Sequence, residues 1–179
     1  LLFWTEEVTM KPIPSFYFLP STVEDAYSIG LRLCEGDALE ARLMTGKDPA
    51  EATVDSYLMT YAMSGEVMTC WINGSPEMIF GIRRGELLSD NGIVWMLHTD
   101  VPARWGLMFA KYSRTALANL FDSSDCRRIE NFVLADNVRT IRWLQFLGFK
   151  FDFHFIMSSR RWLHFYMSKE ADNGCCGRA

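Results

Sequence analysis

The chain has 179 residues, of which 49% are hydrophobic, 14% aromatic and 22% charged, and its formal net charge is −4. That length suits one domain able to bury a two- or three-layer core. The acidic balance gives no support for a general nucleic-acid binder, whose affinity comes largely from phosphate neutralisation, and no apolar run is long enough to span a bilayer. The basic pairs Arg83-Arg84, Arg127-Arg128 and Arg160-Arg161 are scattered along the chain and read as solvated surface, so no sequence-specific nucleic-acid partner is expected.

Taken in order, residues 1–14 read as an N-terminal extension. Leu1-Leu2-Phe3-Trp4 is too short for a signal-peptide core, and Met10-Lys11 would make a natural start, so residues 1–10 are upstream sequence or an ordered extension. A single domain is expected over 15–169. Residues 15–19 form a first strand, closed by Pro20. Thr22 then caps a helix, with Asp25 three residues on in a variant of the capping box, and Ala26, Ile29 and Leu33 share one face. A short helix over 37–43 follows. Asp48-Pro49-Ala50-Glu51 is a strong helix start, and Val54, Leu58, Tyr61 and Ala62 are its expected buried stripe.

Strands over 66–72 and 76–82 flank Asn73-Gly74, a pair that tolerates positive φ and signals a hairpin. Gly81 inside the second of them points to a bulge or a close backbone approach. Residues 92–99 form a fourth strand. A helix over about 105–120 carries Met108, Tyr112, Ala116 and Leu120 at helical spacing. A strand over 129–134 leads into residues 137–149 (NVRTIRWLQFLGF). Here Asp136 or Asn137 can cap a helix, Ile141, Leu144 and Leu147 recur at helical spacing, and Gly148 ends it. Trp143, Leu147 and Phe149 are expected in the core. A terminal hairpin over 150–155 and 162–167 closes the domain, and 170–179 reads as a flexible tail. Strands and helices alternating in this way argue for an α/β mixed sheet with helices on both faces.

Five Cys, at 34, 70, 126, 175 and 176, form no CxxC pair, and no His lies at metal-ligand spacing from them. No metal is expected on these grounds, and the odd count suits a reducing compartment. Among the three His, His98 near the end of the fourth strand is the candidate general base, since imidazole titrates near ~6.5. The other reading of His98, beside Thr99-Asp100, is a hydrogen-bonded structural residue. His154 and His164 belong to the terminal hairpin. No G-x-S-x-G, HExxH or Walker-type loop supports a hydrolase or nucleotide-binding reading.

An Asn that opens a helix after the fifth strand and a Gly-Phe that closes it resemble the fourth motif block of the GNAT N-acyltransferase superfamily. More narrowly, Trp95-Met96-Leu97-His98-Thr99-Asp100 together with Arg142-Trp143-Leu144-Gln145-Phe146-Leu147-Gly148-Phe149 is similar to the acyltransferase-like internal virion proteins of short-tailed phages. The resemblance covers roughly residues 16–167. It implies a mostly antiparallel central sheet that splays between the fourth and fifth strands, where a pantetheine arm lies. It also implies an acetyl-coenzyme A site built from Leu97, Thr99, Arg104, Trp105, Gly106 and Asn137.

Two features depart from the superfamily pattern. The pyrophosphate loop, Gln or Arg followed by x-x-Gly-x-Gly/Ala, corresponds to Ala103-Arg104-Trp105-Gly106-Leu107-Met108, with Ala103 at the polar position and Met108 at the small one. Glycines there admit the backbone to the phosphates, so acetyl-coenzyme A is expected to bind weakly or not at all. The Tyr that commonly follows the Asn by seven residues corresponds to Leu144, which leaves Tyr112 and Tyr166 as substitutes only if the fold brings them in. Two readings follow from the resemblance. One is a virion-associated assembly protein on this fold, partnered by other phage virion proteins in the infected cytoplasm or virion interior. The other is an active acetyl-coenzyme A-dependent N-acyltransferase acting on an amine.

Overall fold

A computed structural model of the chain describes residues 14–63, 65–85 and 89–169. Most of the expected N-terminal extension and the whole tail over 170–179 lie outside the described residues. Seven strands form one sheet: β1 (Phe16–Pro20), β2 (Glu66–Ile72), β3 (Ser75–Arg84), β4 (Asn91–His98), β5 (Arg128–Leu134), β6 (Lys150–Met157) and β7 (Arg160–Ser168). Their order is β1-β2-β3-β4-β5-β7-β6. Every neighbouring pair is antiparallel except β4 and β5. The helices are α1 (Val23–Gly30), α2 (Glu35–Thr45), α3 (Pro49–Ala62), α4 (Gly106–Ser123) and α5 (Val138–Leu147).

Local chemistry sets most of these boundaries. Thr22 and Asp25 form the reciprocal capping box at the start of α1. Asp48 caps α3 through the N–H of Ala50, with Pro49 in the first turn. Asn73 and Gly74 take φ of 53° and 80° and join β2 to β3 in a two-residue turn. Gly81 marks a close approach, because a Cβ there would sit 3.2 Å from the Trp95 indole nitrogen. The bulge in this strand lies elsewhere, at Glu77, where the register with β2 shifts between Cys70 and Trp71.

Two cores flank the sheet. Phe109, Leu117 and Leu120 of α4 and Leu144 and Leu147 of α5 pack with Phe80, Val94, Ile129 and Phe165. On the other face Ala26 and Ile29 of α1 pack with Val67 and Ile79, with Trp95 and Leu97 against them. Leu147 and Phe149 are buried as expected, and Trp143 is half-buried, its indole N–H donating to Ser113 Oγ.

Two expected stripes are displaced. On α3 the buried residues are Ala50, Ala52, Thr53 and Thr60, whereas Leu58, Tyr61 and Ala62 are exposed. Burying the small face lets α3 lie close to α1, where a Cβ on Gly30 would come within 2.6 Å of Ala50 Cα. On α4 the inward residues are Phe109, Ser113, Leu117, Leu120 and Phe121, so the inward face is mostly one position on from the expected Met108, Tyr112 and Ala116.

Candidate active site

The split in the sheet is the organising feature. β4 and β5 pair over Asn91–Ile93 and Arg128–Glu130 only, and then diverge. A last link crosses the gap, from Asn131 Nδ2 to the carbonyl of Val94 at 2.8 Å. Beyond it lies a cavity of about 640 Å3, with a wall that includes Met78, Phe80, Leu97, Val133 and Leu144 and polar groups that include Asp37, Glu40 and Asp55.

Strand residues present their backbone groups to alternate sides. The Val94 carbonyl points into the split, and so do both backbone groups of His98, which meet α2 there. Met96 lies between them in that alternation. Its N–H and C=O therefore face the split, and no bond to either is found among the described residues.

The helix α2 straddles the gap, and this is the part of the site that sequence reasoning missed. Asp37 Oδ2 accepts the N–H of His98 at 2.8 Å, and the N–H of Cys34 donates to the His98 carbonyl at 2.9 Å, which fixes the end of β4. One helical turn on, Glu40 Oε1 accepts the N–H of Leu134 at 3.3 Å and the Asn137 amide at 2.8 Å, which fixes the end of β5. Two carboxylates at i and i+3 on one helix thus hold the two arms of the split sheet. Asp37 and Glu40, set among Ala38 and Ala41 on the inward side, were the available signal.

These environments shift the titrations. Burial pushes the Glu40 carboxyl up; the Asn137 amide works against this and Asp37 adds to it, and the result is about 7. Burial likewise raises the Asp37 carboxyl, against the pull of His98. For His98 burial acts downward, but Asp37, Cys34 and the Thr99 carbonyl outweigh it and lift the imidazole to about 9.

Of the residues expected from sequence, Leu97 lines the cavity. His98 is buried, with its Nδ1 2.6 Å from the Thr99 carbonyl and its Nε2 turned toward Cys34 and Asp37. Thr99 is buried; its hydroxyl bonds Glu77 and accepts the N–H of Val101. Asn137 caps α5 by accepting the N–H of Thr140, while its amide holds Glu40.

Arg104, Trp105 and Gly106 stand apart from this group, at the start of α4. A 3-10 turn over Pro102–Trp105 leads in, and Gly106 takes φ 41° with open space where a Cβ would be. Arg104 is exposed. No side chain caps this helix, and Trp105 Nε1 is buried with no partner among the described residues. Neither candidate tyrosine reaches the cavity. Tyr112 stacks on Phe16, and Tyr166 lies under the Arg128 guanidinium. His154 is exposed, and His164 is bound to Asp152 at 2.6 Å, a bond that lowers the Asp152 pKa.

No helix among the described residues is long and apolar enough to cross a membrane. No protein-family model and no curated protein matches the sequence. Solved structures do. The chain is similar to the aminoglycoside acetyltransferase AAC(6')-Ib in complex with ribostamycin and coenzyme A, at 14% identity and TM-score 0.61 over 92% of this chain and 99% of that one. It is similar to an acetyltransferase of the GNAT family from Streptococcus pneumoniae, at 12% identity and TM-score 0.60 over 87% and 100%. It is also similar to the ribosomal-protein-S5-alanine acetyltransferase of Vibrio fischeri, at 10% identity and TM-score 0.61 over 87% and 93%. At such identities the likeness is one of architecture: the chain has the GNAT acetyltransferase fold, with a seven-stranded, mostly antiparallel sheet split between β4 and β5.

Proposed function

We propose that this chain is an acyl-coenzyme A-dependent N-acyltransferase whose reaction centre is the cleft between β4 and β5. The observation that carries the reading is the pairing of an open strand edge at Met96 with a carboxyl raised to about 7 at Glu40, both facing one cavity. An amide-bearing chain laid along β4 would find a donor and an acceptor at Met96, as an added strand does. The uncapped start of α4 offers free N–H groups and the positive end of an 18-residue helix to phosphate oxygens. The exposed Arg104 adds a donor there, and Gly106 leaves the approach open. AAC(6')-Ib, of the same fold, is known with coenzyme A and with acetyl-coenzyme A.

Acetyl-coenzyme A would supply a thioester carbon, on which an amine forms a C–N bond as the C–S bond breaks and the sulfur leaves as a thiolate, which takes its proton from solvent. Glu40 takes the proton that the amine loses. Both of its bonds go to Oε1, so Oε2 is the atom available to the amine. Its raised pKa suits a general base at neutral pH. Asn137 is a positioning residue in this scheme, since it aims Glu40 and caps α5. His98 is less suited to act as the base than the sequence suggests, because both of its ring nitrogens are turned to protein groups.

The test is calorimetric titration with acetyl-coenzyme A, followed by thiol-release assays on a panel of amines. Saturable binding that Gly106→Glu weakens at least tenfold is expected. Glu40→Gln should keep that binding and lose about 10²–10⁴-fold in kcat, the usual worth of a positioned base. Failure of the wild-type chain to bind acetyl-coenzyme A would refute the proposal.

One observation favours the second reading, an assembly protein on this fold that works among phage virion proteins without turnover. Leu144 stands where the superfamily commonly has a Tyr, and neither Tyr112 nor Tyr166 lines the cavity. Binding without turnover on any amine would favour it.

A further inference from the structure

The mouth of α2 holds a cluster that the acyl-transfer chemistry does not use. Cys34 Sγ, Asp37 Oδ2 and His98 Nε2 converge from the start of α2 and the end of β4. Nε2 lies 4.0 Å from the sulfur and 3.8 Å from the oxygen, and all three ligand atoms lie within 4.8 Å of one another. All three residues are buried, at 8%, 5% and 8% exposure, which sets the cluster apart from the solvated acidic groups common on protein surfaces.

Two arrangements of Cys, His and Asp are chemically meaningful, and the geometry separates them. In a nucleophile relay the carboxylate holds the ring nitrogen that faces away from the sulfur. Here the sulfur and the carboxylate meet the same nitrogen, and the opposite one, Nδ1, sits 2.6 Å from the Thr99 carbonyl. A carbonyl can only accept, so Nδ1 keeps its proton, and an entering cation that displaces the Nε2 proton meets a lone pair turned toward Cys34 and Asp37. A ring N–H given to a backbone carbonyl is the usual outer support of a metal-bound histidine.

We infer that Cys34, Asp37 and His98 form a binding site for a transition-metal cation of the Zn²⁺ class. Sulfur, nitrogen and oxygen together suit Zn²⁺ and disfavour Mg²⁺ or Ca²⁺, which take oxygen ligands. Tetrahedral Zn²⁺ with its usual bond lengths separates such ligands by about 3.3–3.6 Å. The present 3.8 and 4.0 Å therefore need a contraction of roughly half an ångström, within reach of side-chain torsions. The scaffold is already fixed by the His98 N–H on Asp37 and the Cys34 N–H on the His98 carbonyl. Asp37 also lines the cleft, which gives a route of entry and a fourth position for water. The bound cation would pin α2 to one arm of the split sheet. The inference does not rest on acyl transfer. The sequence hides it because the Cys and the His stand 64 residues apart.

The test uses the full chain with Cys175→Ser and Cys176→Ser, so that the vicinal pair cannot compete for metal. After chelator treatment, Co²⁺ should give tetrahedral d–d bands with a thiolate charge-transfer band at one equivalent. Zn²⁺ should bleach those bands and raise Tm. Cys34→Ser should abolish the thiolate band, and Cys34→Ser or His98→Gln should weaken Zn²⁺ by more than about 100-fold in a chromophoric-chelator competition, beyond the effect of an outer-shell change. A folded protein that gives no thiolate band with Co²⁺ overturns the inference. So does stoichiometric Zn²⁺ binding unchanged by either substitution. Should a variant fail to fold, the Co²⁺ spectrum of the parent chain still decides.

Discussion

In the proposed reading Glu40 concentrates the chemistry in one side chain. Its folded-state pKa, about 7, stands above the ordinary value of 4.5, so folding favours the protonated acid. The stability this lends is fully present below about pH 4.5 and is lost as pH rises through about 7. Glu40→Gln mimics the acid and keeps an oxygen for the Leu134 and Asn137 donors. It should stabilise the chain at pH 8 by about 1–3 kcal/mol, from ~1.36 kcal/mol per pKa unit, and by little at pH 4. Urea titrations at the two pH values measure this; equal effects at both would remove the raised carboxyl. Under the proposed reading the same carboxyl should make kcat rise with pH through about 7 in the wild-type chain, and Glu40→Gln should flatten that limb. Leu147, at 5% exposure in the α4–α5 core, is a simpler case. Leu147→Ala should cost about 2–5 kcal/mol, and a loss below about 1 kcal/mol would place its face outside the core.

Among the elements, those with local signals were legible in the sequence and those set by packing were not. Thr22 with Asp25, Asp48 with Pro49, Asn73-Gly74 and Asn137 with Gly148 each carry their own hydrogen bonds or backbone requirement, and each does its expected work. The inward faces of α3 and α4 depend on which neighbour they meet. On α3 the small residues win because α1 approaches along Gly30, so the larger Leu58 and Tyr61 turn outward. Gly30→Ala would drive a methyl to 2.6 Å from Ala50 Cα and force the helices apart. A loss of about 1–3 kcal/mol in a denaturant titration is expected, as for overpacking. A neutral outcome would show that α1 and α3 can slide. The role of α2 was illegible for a different reason: the partners of Asp37 and Glu40 lie 61 and 94–97 residues away, at the ends of two strands.

For the whole molecule, a mixed sheet that opens between β4 and β5 was legible from the alternation of elements and from the NVRTIRWLQFLGF block. The cleft's polar equipment was not. The motif residues divide into two groups, Leu97, His98, Thr99 and Asn137 about the split and Arg104, Trp105 and Gly106 at the start of α4. The proposed reading needs both groups to serve one ligand, running from the helix start along the open edge of β4. Residue-resolved hydrogen exchange with and without acetyl-coenzyme A tests this most directly. The account predicts slowed exchange at the Met96 amide and at the first amides of α4, with β1 and β2 unchanged. Ligand-induced protection confined to other elements, or none at saturating acetyl-coenzyme A, would contradict it.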